Sequence, residues 1–111
     1  MKIFNTEKEW QDILEQSKSG AVFILKHSNT CPISAKGYAE VEKFSKEKPK
    51  ALVFVLIVQD APDLKQQIAK ETSVVHESPQ VLLLLDNKVV YNTSHYNINA
   101  KELILEYDKV L

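Results

Sequence analysis

The only cysteine of this 111-residue chain, Cys31, lies at the predicted start of a helix. An apolar, strand-like run from Ala21 to Lys26 leads toward it, a polar turn at 28–30 interrupts the run, and an amphipathic segment follows from Pro32. A thiol at that point meets unpaired backbone N–H groups and the positive end of the helix dipole. Both stabilise the thiolate over the thiol and lower the thiol pKa. We therefore interpret Cys31 as a nucleophile.

A hydroxyl stands where a second thiol would complete a dithiol motif. In Cys-x-x-Cys sequences the second cysteine resolves mixed disulfides by intramolecular attack, but here that position holds Ser34. One helical turn after Cys31, its hydroxyl can face the sulfur and donate a hydrogen bond, or it can simply be solvated. It cannot form a disulfide, so an external thiol has to release any adduct from Cys31. The motif predicts monothiol exchange.

Three further residues of this segment have expected roles. Thr30 either caps the helix, which we expect, or touches the thiolate. Pro32 starts the helix, because proline is favoured at the first helical position, and it can also narrow the site and remove a competing N–H. Gly37 costs the helix about 1 kcal/mol of propensity, which predicts a close packing contact at that point.

Composition limits the classes of function. The chain is 44% hydrophobic and carries a formal net charge of −1, from 14 basic and 15 acidic residues. Its length predicts one domain over residues 1–111. The balanced charge gives no electrostatic argument for nucleic acid or an anionic membrane as a partner. Apolar runs of signal-peptide or membrane-spanning length are absent and a single cysteine excludes an internal disulfide, so we expect a cytoplasmic protein. We also expect a monomer, although the sequence does not determine the oligomeric state.

The predicted elements follow one another in the order α-β-α-β-α-β-β-α. Thr6 and Glu9 form a predicted capping box for the first helix, and Asn99 caps the last helix. A hairpin turn is predicted at 86–88. Helices that alternate with strands favour a parallel pair joined by a right-handed crossover, and the closing hairpin is antiparallel. We predict an α/β fold with a mixed four-stranded sheet flanked by helices. Its strands are Ala21–Leu25, Ala51–Val58, Val81–Leu85 and Val89–Asn92.

This order of elements, combined with the positions of Cys31 and Pro79, resembles the thioredoxin fold. In that fold a cysteine begins the helix after the first sheet strand, and a cis-proline precedes the third strand. The resemblance covers essentially the whole chain. It implies a cis Ser78–Pro79 bond, with the main chain of Ser78 turned toward a bound peptide-like thiol that pairs with it as a short added strand. An ordinary proline at a strand entry is the alternative.

The motif Thr30-Cys31-Pro32-Ile33-Ser34, followed by Ala35-Lys36, resembles the monothiol bacilliredoxins. That family uses bacillithiol, the low-molecular-weight thiol that replaces glutathione in some Gram-positive bacteria. The resemblance implies that Cys31 removes bacillithiol from S-bacillithiolated client proteins through a mixed disulfide. A further thiol then regenerates Cys31, with bacillithiol as cosubstrate and no other cofactor. The residues alone predict a monothiol oxidoreductase of thioredoxin fold, and the resemblance supplies the identity of the thiol.

Other polar side chains keep two interpretations each. The cations nearest to Cys31 in sequence are Lys26, His27 and Lys36. They could stabilise the thiolate or bind the malate carboxylates of bacillithiol. We expect instead that each is a solvated surface group. His76 and His95 match no metal-ligand spacing, so we predict no metal site. Tyr96 either lines the substrate groove or covers the sheet edge.

Two other functions stay open at this level. A thioredoxin-fold module that binds a protein partner without turnover would carry Ser34 as a sign of lost redox activity, and a lowered Cys31 pKa argues against it. The second is a thiol redox sensor, in which an adduct blocks the exposed thiol under oxidative stress. It differs from the enzyme only in whether that adduct is then passed on to another thiol.

Overall fold

The computed structural model describes residues 1–111 as a mixed sheet between two pairs of helices. The strands are β1 (Lys2–Phe4), β2 (Val22–His27), β3 (Leu52–Ile57), β4 (Gln80–Leu85) and β5 (Lys88–Ser94). The helices are α1 (Glu7–Gln16), α2 (Pro32–Glu47), α3 (Pro62–Thr72) and α4 (Ala100–Lys109), with a 3₁₀ turn at His95–Asn97. The strand order is β1-β3-β2-β4-β5. Strands β1, β3 and β2 are parallel, whereas β4 runs antiparallel to both β2 and β5.

The prediction of four strands was wrong, because β1 adds a fifth strand at the edge of the sheet. It pairs in parallel with β3, with Ile3 opposite Val55. Three residues are too few to show the alternation by which a strand is detected in sequence. The strand is held by the side chain of Phe4, which is buried and stacks on Trp10. The α/β class, the parallel β2–β3 pair and the antiparallel hairpin are confirmed.

Hydrophobic residues pack on both faces of the sheet. The central strands β2 and β4 are buried along nearly their whole length, as expected for strands covered on two sides. One face, covered by α1 and α3, is built from residues that include Trp10, Ile13, Ile24, Leu64, Ile68 and Leu82. The other face, covered by α2 and α4, includes Phe23, Val41, Phe44, Val55, Leu83 and Leu103. None of the helices combines the length and the apolar character needed to cross a membrane.

Local sequence signals form the contacts that they predict. The Thr6 hydroxyl accepts from the Glu9 N–H at 3.2 Å, and the Glu9 carboxylate accepts from the Thr6 N–H at 3.2 Å, which completes the capping box of α1. Asn99 accepts from the N–H of Glu102 at 2.9 Å and caps α4. At the hairpin tip, residues 86 and 87 have left-handed φ values of 52° and 65°, the conformation of a two-residue hairpin turn. These signals work because each involves residues within one turn of chain.

Gly37 joins α2 to the segment that enters β4. It is buried, and a Cβ atom built on it would lie 3.3 Å from Pro79 Cβ and 3.3 Å from Ile98 Cδ1. Those distances are tighter than ordinary van der Waals contact, so the glycine lets the helix approach Pro79 closely. The predicted close packing contact at Gly37 is confirmed.

Replacement of Gly37 by valine should lower the free energy of unfolding by about 1–3 kcal/mol, because its branched side chain overlaps the Pro79 ring. Urea denaturation measures the change. Gly20→Ala is the matched control: nothing lies within 4 Å of a Cβ at that position, so its stability should equal the wild type or exceed it slightly. A Gly37→Val protein as stable as the wild type would show that the close approach is not needed.

Candidate active site

The Cys31 side chain lies at the end of a sheet strand and the beginning of a helix. Strand β2 ends at His27, a turn at 28–30 follows, and Cys31 is the N-cap residue of α2, with extended φ and ψ of −107° and 121°. Pro32 is the first helical residue, as predicted. The Cys31 carbonyl accepts the first helical hydrogen bond, from the N–H of Ala35 at 3.1 Å. The thiol is partly exposed and unpaired, so a disulfide-carrying partner can reach it.

Hydrogen-bond donors from the first turn of α2 surround the Cys31 sulfur. The backbone N–H of Ser34 lowers the pKa of the thiol most, and the N–H of Ile33 and the Ser34 hydroxyl lower it further, while partial desolvation acts in the opposite direction. The N–H groups of a first helical turn have no carbonyl partner within the helix, so they are free to bind negative charge. No neighbouring cation contributes to the shift. The arrangement therefore favours a nucleophilic thiolate through hydrogen bonds alone.

The Ser34 hydroxyl is buried rather than solvated. The residue is 0% exposed, and its oxygen accepts a hydrogen bond from the N–H of Ser28 at 3.3 Å. The same hydroxyl contributes to the lowered pKa of Cys31. It thus links the turn before the cysteine to the sulfur, at the position expected from the sequence.

The expectation that Thr30 caps α2 was wrong. No side chain caps this helix, because the N-cap residue is Cys31 itself. The Thr30 hydroxyl instead accepts a hydrogen bond from Gln59 Nε2 at 3.2 Å, and Gln59 Nε2 also donates to the Ser28 hydroxyl at 2.7 Å. Gln59 lies after β3, about thirty residues further along the chain, and it also accepts from the Asn29 N–H at 3.3 Å. Sequence reasoning missed Gln59, because no local pattern marks a residue that acts across two strand ends.

The segment 75–79 approaches α2 through Pro79. The Ser78–Pro79 peptide bond is cis. Pro79 is buried against Gly37, which places it one to two helical turns from Cys31 along α2. The Ser78 hydroxyl is buried without a hydrogen-bond partner. The two sequence-predicted parts of the site, 30–34 and 78–79, are therefore both located at the first two turns of α2.

Of the three cations near Cys31, Lys26 is fully buried and His27 is partly buried, contrary to the expectation that all three are solvated. Lys26 is 0% exposed. His27 is half-buried and lies beside the Tyr38 ring, with 5.1 Å between ring centroids, and burial lowers its pKa. Lys36 is exposed, as expected, and its Nζ lies 5.6 Å from the centroid of the Tyr96 ring. The error arises because β2 continues to His27, past the predicted strand end at Leu25, and the sheet stays covered there.

Lys26 is a buried ionisable residue without a partner for its polar end. Its Nζ has no hydrogen-bond partner, and its side chain shares the α1 and α3 face of the sheet with Val22 and Ile24. Burial, with a smaller contribution from the positive charge of Lys65, lowers the pKa of Lys26 from 10.5 to about 8. No carboxylate offsets these effects, so the ammonium form is unfavourable in the folded state.

The remaining histidines and Tyr96 lie around the 75–79 segment. Burial and the nearby charges of Lys26 and Lys65 lower the pKa of His76 to about 4. His95 forms a 2.8 Å pair with the Glu77 carboxylate. Tyr96 is 69% exposed, so it does not cover the sheet edge. No cluster of three or more histidine, cysteine, aspartate or glutamate side chains is arranged to hold a metal ion.

Comparison with known proteins agrees with this geometry. A family model described as "Monothiol bacilliredoxin BrxC" matches residues 2–103. A solved structure described as a candidate oxidoreductase with a thioredoxin fold is 38% identical and superposes with a TM-score of 0.86; the match covers 94% of this chain and 90% of that chain.

More distant structures share the fold. Thioredoxin from Fasciola hepatica matches with a TM-score of 0.77 at 18% identity over 100% of both chains. Thioredoxin NaTrxh from Nicotiana alata matches with a TM-score of 0.79 at 18% identity, over 98% of this chain and 90% of that chain. At these identities the likeness shows the thioredoxin fold alone, and it confirms the thioredoxin-like architecture expected from the sequence.

Replacement of Ser34 by alanine should raise the pKa of Cys31, because the thiolate loses the hydroxyl donor while it keeps the two backbone donors. The pH profile of iodoacetamide alkylation should move to higher pH. Stability should fall by about 1–2 kcal/mol, because the Ser28 N–H loses its acceptor. Ser45→Ala, the same change further along α2, should leave the profile unchanged. An unshifted profile in Ser34→Ala would exclude the hydroxyl as a thiolate donor.

Replacement of Lys26 by methionine should stabilise the protein at neutral pH by on the order of 3 kcal/mol, the equivalent of a pKa lowered from 10.5 to about 8. Below pH 8 the folded and unfolded chains are both charged at Lys26, so the full penalty is present. Between pH 8 and 10.5 the folded chain loses its proton first, and the penalty fades. Urea denaturation across this range should show the advantage of the variant shrinking as pH rises.

The exposed Lys70 of α3 provides the control for this series, because Lys70→Met should change stability by no more than about 0.5 kcal/mol. A Lys26→Met advantage that does not depend on pH would show that the gain comes from packing rather than from the removed charge.

Proposed function

The chain belongs to the monothiol bacilliredoxin family, and on that premise we propose that it removes bacillithiol from S-bacillithiolated proteins, with Cys31 as nucleophile and transient carrier. One observation carries the proposal: the pKa of Cys31 is lowered by donors that include Ser34, which occupies the position of a resolving cysteine. The thiolate form is thus favoured at a partly exposed position, and no second thiol is present in the chain to compete for its adduct.

The first step transfers bacillithiol from the client to Cys31. The Cys31 thiolate attacks the bacillithiol sulfur of the mixed disulfide, and a bond forms between these two sulfurs. The bond between bacillithiol and the client cysteine breaks, its electron pair leaves on the client sulfur, and that thiolate takes a proton from solvent. The client cysteine is reduced, and Cys31 is now in a mixed disulfide with bacillithiol.

The second step releases bacillithiol from Cys31. Because Ser34 cannot attack the adduct, the thiolate of an external low-molecular-weight or protein thiol attacks the bacillithiol sulfur. Cys31 leaves as a thiolate, which the N–H groups of Ile33 and Ser34 stabilise. The external thiol and bacillithiol are then joined as a disulfide, so the two electrons received by the client come from the external thiol pool.

We assign recognition of the mixed disulfide to the segment that contains Ser78 and Pro79. The main chain of Ser78 offers hydrogen-bonding groups beside Pro79, to which the extended backbone of a client segment can pair. Lys36 offers an exposed cation near the site for the carboxylates of bacillithiol. Thr30 and Pro32 support the turn and the helix start that carry the nucleophile.

The test is intact mass spectrometry of the reduced protein mixed with an S-bacillithiolated client. The bacillithiol mass should disappear from the client and appear on the wild-type protein, whereas Cys31→Ser should leave the client unchanged. An S-glutathionylated client, run in parallel, measures the preference for bacillithiol.

Two outcomes would contradict parts of the proposal. Equal transfer from both clients would remove bacillithiol as the specific substrate and leave general monothiol exchange. If neither adduct moves while Cys31 still reacts with iodoacetamide, the enzyme is excluded and a binding module with an accessible thiol becomes the better description.

A further inference from the structure

Gln59 lies at the point where β2 and β3 separate. The two strands are parallel, with His27 opposite Ile57, and the last main-chain bond between them runs from the Val58 N–H to the His27 carbonyl at 2.9 Å. Beyond that bond one chain turns at 28–30 toward α2, and the other turns toward α3. Gln59 follows the bond directly, and its side chain spans the gap between the two diverging chains.

The Gln59 amide binds every residue of that turn. Its Nε2 donates to the Ser28 hydroxyl at 2.7 Å and to the Thr30 hydroxyl at 3.2 Å, and its Oε1 accepts from the Asn29 N–H at 3.3 Å. Because a backbone N–H can only donate, the amide oxygen must face Asn29 and the nitrogen must face the two hydroxyls. One side chain thus uses both of its donor hydrogens and its acceptor on three consecutive residues.

The turn has no main-chain hydrogen bond of its own. None of the N–H groups of residues 28–30 donates to a backbone carbonyl. The N–H of Ser28 donates to the Ser34 hydroxyl at 3.3 Å, and that of Asn29 donates to Gln59. Serine, threonine and asparagine side chains readily bind their own backbone in other conformations, so a turn of this composition needs outside partners to keep one geometry. Gln59 supplies three such hydrogen bonds and Ser34 supplies one.

The position of Cys31 depends on this turn. On the side of α2 the residue is fixed by the helix, because its carbonyl accepts from the Ala35 N–H at 3.1 Å. On the other side it is joined directly to Thr30, whose hydroxyl is bound by Gln59. The groups that lower the pKa of Cys31 all belong to the first turn of α2, and no charged group contributes. Such short-range contacts weaken as soon as the sulfur is displaced, so both sides of Cys31 have to be held.

We propose that Gln59 is a positioning residue for thiol exchange, which holds the turn 28–30 in one geometry and thereby places the sulfur of Cys31 at the beginning of α2. Gln59 acts through the turn and needs to touch neither the sulfur nor the client. Its effect on bacillithiol transfer rests on the proposed function, whereas its effects on the turn and on the reactivity of Cys31 do not.

Hydrogen–deuterium exchange of a peptide that covers 28–31 tests the hold on the turn. Gln59→Met keeps the length of the side chain and removes both donors and the acceptor, so exchange in this peptide should accelerate about three- to tenfold, the equivalent of one lost hydrogen bond. Gln59→Glu should exchange like the wild type, because its carboxylate accepts from the Asn29 N–H and both hydroxyls can rotate to donate to it. Gln66→Met, the same change at an exposed position of α3, should leave this peptide unchanged.

The pH profile of iodoacetamide alkylation tests the placement of the sulfur. In Gln59→Met the profile should move to higher pH, because a less firmly held Cys31 spends less time against the N–H groups of the first helical turn. A residue that only stabilised the fold would lower the free energy of unfolding without moving this profile. Gln66→Met should reproduce the profile of the wild type.

Single-turnover transfer from an S-bacillithiolated client tests the consequence for the reaction. At saturating client the rate constant of Gln59→Met should fall about three- to tenfold, while the client concentration that gives half the maximal rate stays unchanged.

Three results would overturn the proposal: exchange in Gln59→Met that matches the wild type, exchange in Gln59→Glu as fast as in Gln59→Met, or faster exchange in Gln59→Met with an unmoved alkylation profile. If the wild type transfers no bacillithiol, the proposed function fails, while the exchange and alkylation results still decide whether Gln59 places the sulfur of Cys31.

Discussion

The chemistry of this protein depends on two backbone N–H groups, those of Ile33 and Ser34, which α2 cannot satisfy within itself. They are oriented by the helix and carry no rotamer entropy, so the sulfur of Cys31 meets donors that are already in place. Because the pKa of the thiol is lowered by these donors and not by a cation, nearby lysines can be buried or serve other purposes. Because β2 is the central strand of the sheet, between β3 and β4, the helix that follows it begins at the middle of the sheet rather than at its edge.

Close approach of α2 to the entrance of β4 completes the site. Gly37 and Pro79 are 42 positions apart in the chain, but the absence of a side chain on Gly37 allows them to pack directly. The contact consequently brings the helix that begins after Cys31 against the irregular segment that contains Ser78. The proposed attack on a peptide-borne disulfide depends on this approach, because it sets the position of the Ser78 main chain relative to the helix that carries the nucleophile.

Polar groups in the interior distinguish the active end of the sheet from the rest of the core. Ser34, Lys26 and Gln80 are buried within a few residues of the site, whereas the middle of β2 and β4 is apolar. Buried polar groups lower stability unless they are paired, so an apolar core would be the more stable solution. Their concentration under Cys31 and under the segment 75–79 is consistent with a fold that gives up stability to position its functional groups.

Much of this structure follows from the sequence, because many of its determinants are local. The capping pairs at 6–9 and 99–102, the hairpin turn and the start of α2 at Pro32 each need only neighbours within a few residues. All were predicted correctly, except that the turn occupies 86–87 rather than the predicted 86–88. The same holds for the nucleophile, since a cysteine before a proline-started helix is recognisable from spacing. The strand β1, in contrast, is only three residues long, so no alternation of apolar and polar residues marks it in the sequence.

What the tertiary structure alone decided is which groups are buried together. Lys26 was expected on the surface because lysine is almost never fully buried, and only the packing of α1 and α3 on this face of the sheet shows otherwise. Thr30 was expected to cap α2, yet Gln59 from the end of another strand binds its hydroxyl. Sequence determined the order of the elements and the reactive sulfur, because these depend on local backbone preferences. Burial and long-range hydrogen bonds depend on how distant segments pack, which no local pattern encodes.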